Sequence, residues 1–131
     1  MLAKAILVGL WAGICSFDLF GPQLSLWRPL VAGSITGLLL GDFNQGLIIA
    51  STLELMWLGV VAIGAYVPPD ILTGAVLGTA FAIISGKGAV AGIAIAVPVA
   101  IAAQQLDILF RMGTIALVRK SEKAAELGDF D

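Results

Sequence analysis

The sequence predicts an all-α integral membrane protein built from re-entrant helical hairpins plus one long kinked transmembrane helix. Three observations carry this. Hydrophobic residues make up 60% of the 131 residues and charged residues only 12%, against roughly 25% charged in soluble domains. Mean hydropathy is +1.05, and a chain this short has too much exterior to hide that much apolar surface from water. Finally, the apolar blocks before Gly88 are short or broken, while the block after it is long.

The elements follow in order. Ala5–Phe17 is an uncharged block of 13 residues. Its start, Lys4 followed by AILVGLWAGIC, has the look of a signal peptide, but no small-residue cleavage site follows, so it reads as a retained apolar segment. SFDLFGPQLSLWRP interrupts it with Asp18, Gly21, Pro22, Gln23 and Arg28. Pro29–Gly41 is another block of 13, closed by a polar turn at Asp42, Asn44 and Gln45. Gly46–Pro69 is longer but contains Glu54, and Asp70 ends it. Ile71–Gly86 contributes 16 residues before the Gly-Lys-Gly turn at Lys87.

A straight span needs about 20 apolar residues, and only Gly88–Leu106, with 19 uncharged residues, meets that cleanly. Apolar character continues to Val118, a stretch of 31 residues. That exceeds the thickness of a bilayer, and Pro98 is the natural kink. Broken segments at membrane depth require surrounding protein or a cavity to satisfy their backbone, and in transporters they mark the substrate site.

Glycines recur at four-residue spacing, at 9/13, 33/37/41, 74/78 and 88/92. Such bare faces allow close helix packing in lipid. Gln104, Asp107 and Arg111 share one face of the last helix, and Asp107 and Arg111 are spaced to pair. Arg119, Lys120 and Lys123 follow Val118, so the positive-inside rule places residues 119–131 in the cytoplasm as a polar tail, with residues 1–118 in the membrane. Lys87 alone opposes this weakly.

Several function classes fall away. There is no basic run for nucleic acid and no Cys/His cluster for a metal, and the lone Cys15 excludes an internal disulfide. No histidine is present, which removes Ser-His and Cys-His catalysis. Glu54 is the leading functional residue, because a carboxylate within the bilayer is costly unless paired or wetted. Ser51 and Thr52 lie on its turn. Gly59, Gly64, Pro68 and Pro69 then make irregular backbone beside Glu54 and Asp70, which suits a polyhydroxylated ligand or a cation. The structural alternative is that Glu54 pairs with a basic residue such as Arg28.

RPLVAGSITGLLLGD (Arg28–Asp42) followed by GLIIASTLELMWLGVVAIGAYVPPD (Gly46–Asp70) closely resembles the IIC subunit of the mannose–fructose–sorbose family of the sugar phosphotransferase system. The RPL, GLxxGD, LEL-x-x-LG and IGA-x-x-PPD elements occur in the family's order and spacing. The resemblance covers essentially the whole chain but about the first half of the family pattern, so the chain is expected to be a fragment, a truncated product or one piece of a split subunit.

The resemblance implies a multi-pass plasma-membrane protein in an oligomeric complex with a IID membrane subunit. A hexose or related sugar would bind inside IIC and move inward, and a cytosolic IIAB protein would phosphorylate it. Glu54 and Asp70 would flank the sugar, Ile63, Gly64 and Ala65 would line it with backbone, and Gln23 would contribute from the first broken hairpin. The chain itself would carry no phosphate and no cofactor, and would not be an enzyme. Two rival readings are a non-transporting scaffold that assembles partners through its glycine faces, and a cation-coupled carrier.

Overall fold

Proline, glycine and aspartate set most of the helix boundaries. The computed structural model describes residues 2–64 and 66–126, and among these every regular element is a helix. They are α1 (Leu2–Phe20), α2 (Pro29–Leu40), α3 (Phe43–Trp57), α4 (Ile71–Ser85) and α5 (Gly88–Glu126).

α1 corrects the expected 13-residue block. It runs 19 residues, about 28 Å at 1.5 Å per residue, and is long and apolar enough to cross a membrane. It extends through charged residues at both ends because each has a partner. Lys4 Nζ donates to the Leu40 carbonyl at the end of α2 (3.1 Å). Asp18 is buried and accepts from the amides of Leu24 (2.7 Å) and Leu26 (2.8 Å). Those bonds fold residues 21–28 back on the helix end, with Gln23 and Ser25 at positive φ (55° and 69°). Non-glycine residues adopt that conformation only when their surroundings enforce it.

α2 and α3 form a tight helical hairpin. Pro29 suits the first turn of a helix, where a missing N–H costs nothing. Gly41 closes α2 at φ 97°, and the amides of Gly41 and Asp42 both return to the Gly37 carbonyl (3.0 and 2.9 Å). Asp42 then caps α3 by accepting from the Gln45 amide (3.0 Å). Gly37 and Gly46 meet across the pair. A Cβ on Gly37 would lie 2.7 Å from the Gly46 Cα, so only glycine permits this approach. At 12 and 15 residues, the two helices reach about 18 and 22 Å, short of a bilayer core.

α4 and α5 pack as closely. Gly78 faces Ala96 and Gly92, with a Cβ on Gly78 falling 2.7 Å from the Ala96 Cβ. α5 is 39 residues long and passes through Pro98 without ending; it spans about 58 Å and continues through Arg119 and Lys120 as helix. Two apolar clusters tie the unit together. Ile49, Leu53, Ala75, Ala82 and Ala96 join α3, α4 and α5. Val8, Cys15, Ala32, Leu40, Leu72 and Val76 join α1, α2 and α4. The glycine faces at 33/37 and 74/78 are thus occupied within the chain, whereas Gly9 and Gly13 have no atom within 4 Å of an added Cβ.

Candidate functional site

Charge is scarce between Arg28 and Val118, where only Asp42 and Lys87 lie apart from the rest. Arg28, Glu54, Asp70, Asp107 and Arg111 line one cavity of about 500 Å³, with Gln104, Trp27, Trp57 and the Pro68-Pro69 pair among its other walls. Three carboxylates and two guanidinium groups therefore share one space between helices.

Glu54 projects from α3. Its Oε1 lies 3.0 Å from Arg28 Nε, and its Oε2 accepts the Leu30 amide at 3.2 Å. Arg28, the residue preceding α2, has no side-chain capping bond of its own. Glu54 takes over that role from another helix, meeting both an orphan amide and the positive end of the α2 dipole. Its side chain is 16% exposed, against 49% for Arg28. The pairing of Glu54 with Arg28, the structural alternative in the sequence, is thus present, and both groups also face the cavity. Ser51 and Thr52 turn instead to the Ile48 carbonyl of their own helix (3.1 and 2.8 Å).

Asp70 is the N-cap of α4. Its oxygens accept from the Thr73 amide (3.1 Å) and the Thr73 hydroxyl (2.6 Å), and its own amide donates to the Ala100 carbonyl (3.1 Å). Gln104 Nε2 donates to the Val67 carbonyl. These bonds fasten the irregular segment before α4 to α5 at two points, one helical turn apart. They hold the two-proline segment beside α5 by satisfying the Val67 carbonyl before the prolines and the Asp70 amide after them.

The other expected site residues are not gathered here. Ile63 is 77% exposed and Gly64 turns the chain at φ 67°; neither lines the cavity. Ala65 lies outside the described residues. Gln23 belongs to the loop held by Asp18, where its amide donates to the Asp18 carbonyl (3.0 Å), and it too stands apart from the cavity.

Sequence reasoning did not assign Trp27, Trp57, Gln104, Asp107 or Arg111 to the site. A signal for the last three existed, since Gln104, Asp107 and Arg111 fall on one face of an otherwise apolar helix. Arg111 Nε and Asp107 Oδ2 do pair, at 2.7 Å, but they do so at the cavity wall. Chemically, the cavity offers charged donors and acceptors for hydroxyl groups and indole faces for an apolar ring surface.

The chain is similar to known proteins over nearly its full length. The family model described as the sorbose-specific IIC component of the phosphotransferase system matches residues 2–131. The sorbose-specific EIIC component of Lacticaseibacillus casei is 38% identical over 127 residues, covering 97% of this chain and 46% of that protein. The mannose-specific EIIC component of Escherichia coli (strain K12) is 37% identical over 126 residues, covering 96% of this chain and 47% of that protein. A cryo-EM structure of the mannose transporter ManYZ with microcin E492 superposes at a TM-score of 0.81 with 36% identity, covering 98% of this chain and 52% of its matched chain. The chain thus spans about half the length of these relatives. With the family model matching from the first turn of α1 to the C-terminus, the chain belongs to the sorbose-specific IIC family of the phosphotransferase system.

Proposed function

We propose that this chain is a membrane sugar-binding component of a phosphotransferase-type importer, with the Arg28–Glu54–Asp70 cavity as the place where the sugar is held. The observation that carries this reading is the cavity itself. Ion-paired and amide groups surround a space large enough for a hexose, inside a bundle whose outer surface is apolar. Charged groups within membrane segments are costly and mark substrate paths. The relatives named for mannose and sorbose suggest a hexose as ligand. Import would proceed with a IID membrane subunit and a cytosolic IIAB phosphocarrier. Because the chain has no histidine, phosphate would be handled by that partner.

In this reading Glu54 both anchors α2 and receives sugar hydroxyls, and Asp70 acts chiefly by fixing the segment before α4. Glu54→Gln should then weaken hexose binding about ten- to a hundredfold, as expected for one charge-assisted hydrogen bond. Binding of tritiated mannose, fructose and sorbose in lipid nanodiscs measures this. A well-assembled Glu54→Gln chain with unchanged affinity for all three would remove the carboxylate from the ligand role.

The short α2–α3 hairpin is proposed to enter the membrane and return without crossing it, and the C-terminal tail to face the cytoplasm. A phosphatase reporter fused after Asp131 should be inactive, because that enzyme needs export. Strong activity would reverse the orientation.

A further inference from the structure

Each oxygen of the two carboxylates expected to meet the ligand already accepts one protein donor, which leaves a ligand only their remaining lone pairs. Glu54 holds Arg28 and the Leu30 amide with its two oxygens, and Asp70 holds Thr73 with both of its own. The α5 pair is different. Asp107 uses only Oδ2 and Arg111 only Nε, in one bond to each other. Among the described residues, Asp107 Oδ1 and the terminal Arg111 nitrogens have no hydrogen-bond partner. Their side chains are 43% and 61% exposed at the wall of the cavity.

This pair also fastens nothing. Both residues lie on α5 one turn apart, so their bond joins the helix to itself, whereas Arg28–Glu54 joins two elements. They are the only charges on α5 between Gly88 and Val118. A charge pair in a membrane helix that bonds to no other helix has no evident packing role, and charged residues in membrane segments commonly face substrate paths.

We propose that Asp107 and Arg111 are ligand-contacting residues of the same cavity, with Asp107 Oδ1 accepting from one sugar hydroxyl and the Arg111 guanidinium donating to another. The ligand then bridges α3 and α5, and the spacing of its hydroxyls is read by the α5 pair. This rests on the reading of the cavity as a sugar site. The arrangement suits a neutral polyol, which can donate to the carboxylate and accept from the guanidinium at once.

The test is a charge swap, Asp107→Arg together with Arg111→Asp, in the full chain in lipid nanodiscs. The swap keeps an ion pair on α5 but exchanges the donor and acceptor positions, so a purely structural pair survives it. Asp107→Asn, nearly isosteric, serves where the swapped chain aggregates. Binding of tritiated mannose, fructose and sorbose is measured beside Glu54→Gln. The expected result is a loss of about tenfold or more for at least one hexose, unequal among the three, with an unchanged thermal midpoint. Wild-type affinity for all three in the swapped chain, while Glu54→Gln loses binding, overturns the α5 role and leaves the cavity reading standing. Wild-type affinity in both variants, or no binding of any hexose by the unaltered chain, overturns both.

Discussion

Two guanidinium–carboxylate pairs line the same cavity and have opposite structural consequences. Arg28–Glu54 connects the start of α2 to the middle of α3, and Glu54 also closes an amide that α2 leaves open. Asp107–Arg111 connects α5 only to itself and stays half exposed. Identical chemistry is therefore a joint in one place and a free polar edge in the other. What separates them is whether the bond crosses between elements, because only a crossing bond resists their separation. For the same reason, a pair within one helix contributes only a few tenths of a kcal/mol.

The comparison breaks most directly at Glu54. Glu54→Ala removes the acceptor for Arg28 and for the Leu30 amide together. It should destabilise the assembled chain by about 2–3 kcal/mol, read as a lowered thermal midpoint in nanodiscs. A midpoint within a degree of wild type would make Arg28–Glu54 as free as the α5 pair.

A second test asks whether the joint depends on the hairpin that aims it. Gly37→Ala would place a Cβ 2.7 Å from the Gly46 Cα, a backbone atom that cannot step aside without moving α3. A loss of about 1–2 kcal/mol is expected. Gly9→Ala, with nothing within 4 Å, should cost nothing and serves as its control. Equal effects at the two positions would mean that the glycine contacts do not hold the hairpin.

The smallest effect belongs to the α5 pair. Asp107→Asn should change stability by no more than about 0.5 kcal/mol. A cost near that of Glu54→Ala would show that Asp107 has a structural partner and would erase the contrast between the two pairs.

Much of the scaffold is legible locally. The start of α2 at Pro29, the turn at Gly41-Asp42, the start of α4 at Asp70 and the long last helix all follow from residues next to one another in the chain. A length counted between charges falls short of α1, which runs 19 residues. Lys4 and Asp18 remain within the helix since partners at Leu40, Leu24 and Leu26 neutralise their cost, and none of those partners is visible in a hydropathy count. Of the expected site residues, Glu54 and Asp70 reach the cavity, while Ile63, Gly64 and Gln23 do not line it.

By itself, then, the sequence determined the membrane setting, the helical class, the family and the breaks at Pro29, Gly41-Asp42 and Asp70 that bound α2 and begin α4. Each depends on composition or on neighbours within a few residues, where covalent geometry leaves little choice. Only the tertiary structure decided that Glu54 would cap a helix other than its own, that Gln104 would reach the Val67 carbonyl 37 residues away, and that the charges of α5 would share a wall with those of α3. Those outcomes depend on how closely α2 meets α3 and α4 meets α5. Glycine-to-glycine contacts set those distances, and a side chain's reach across them is a property of the packed pair rather than of either segment.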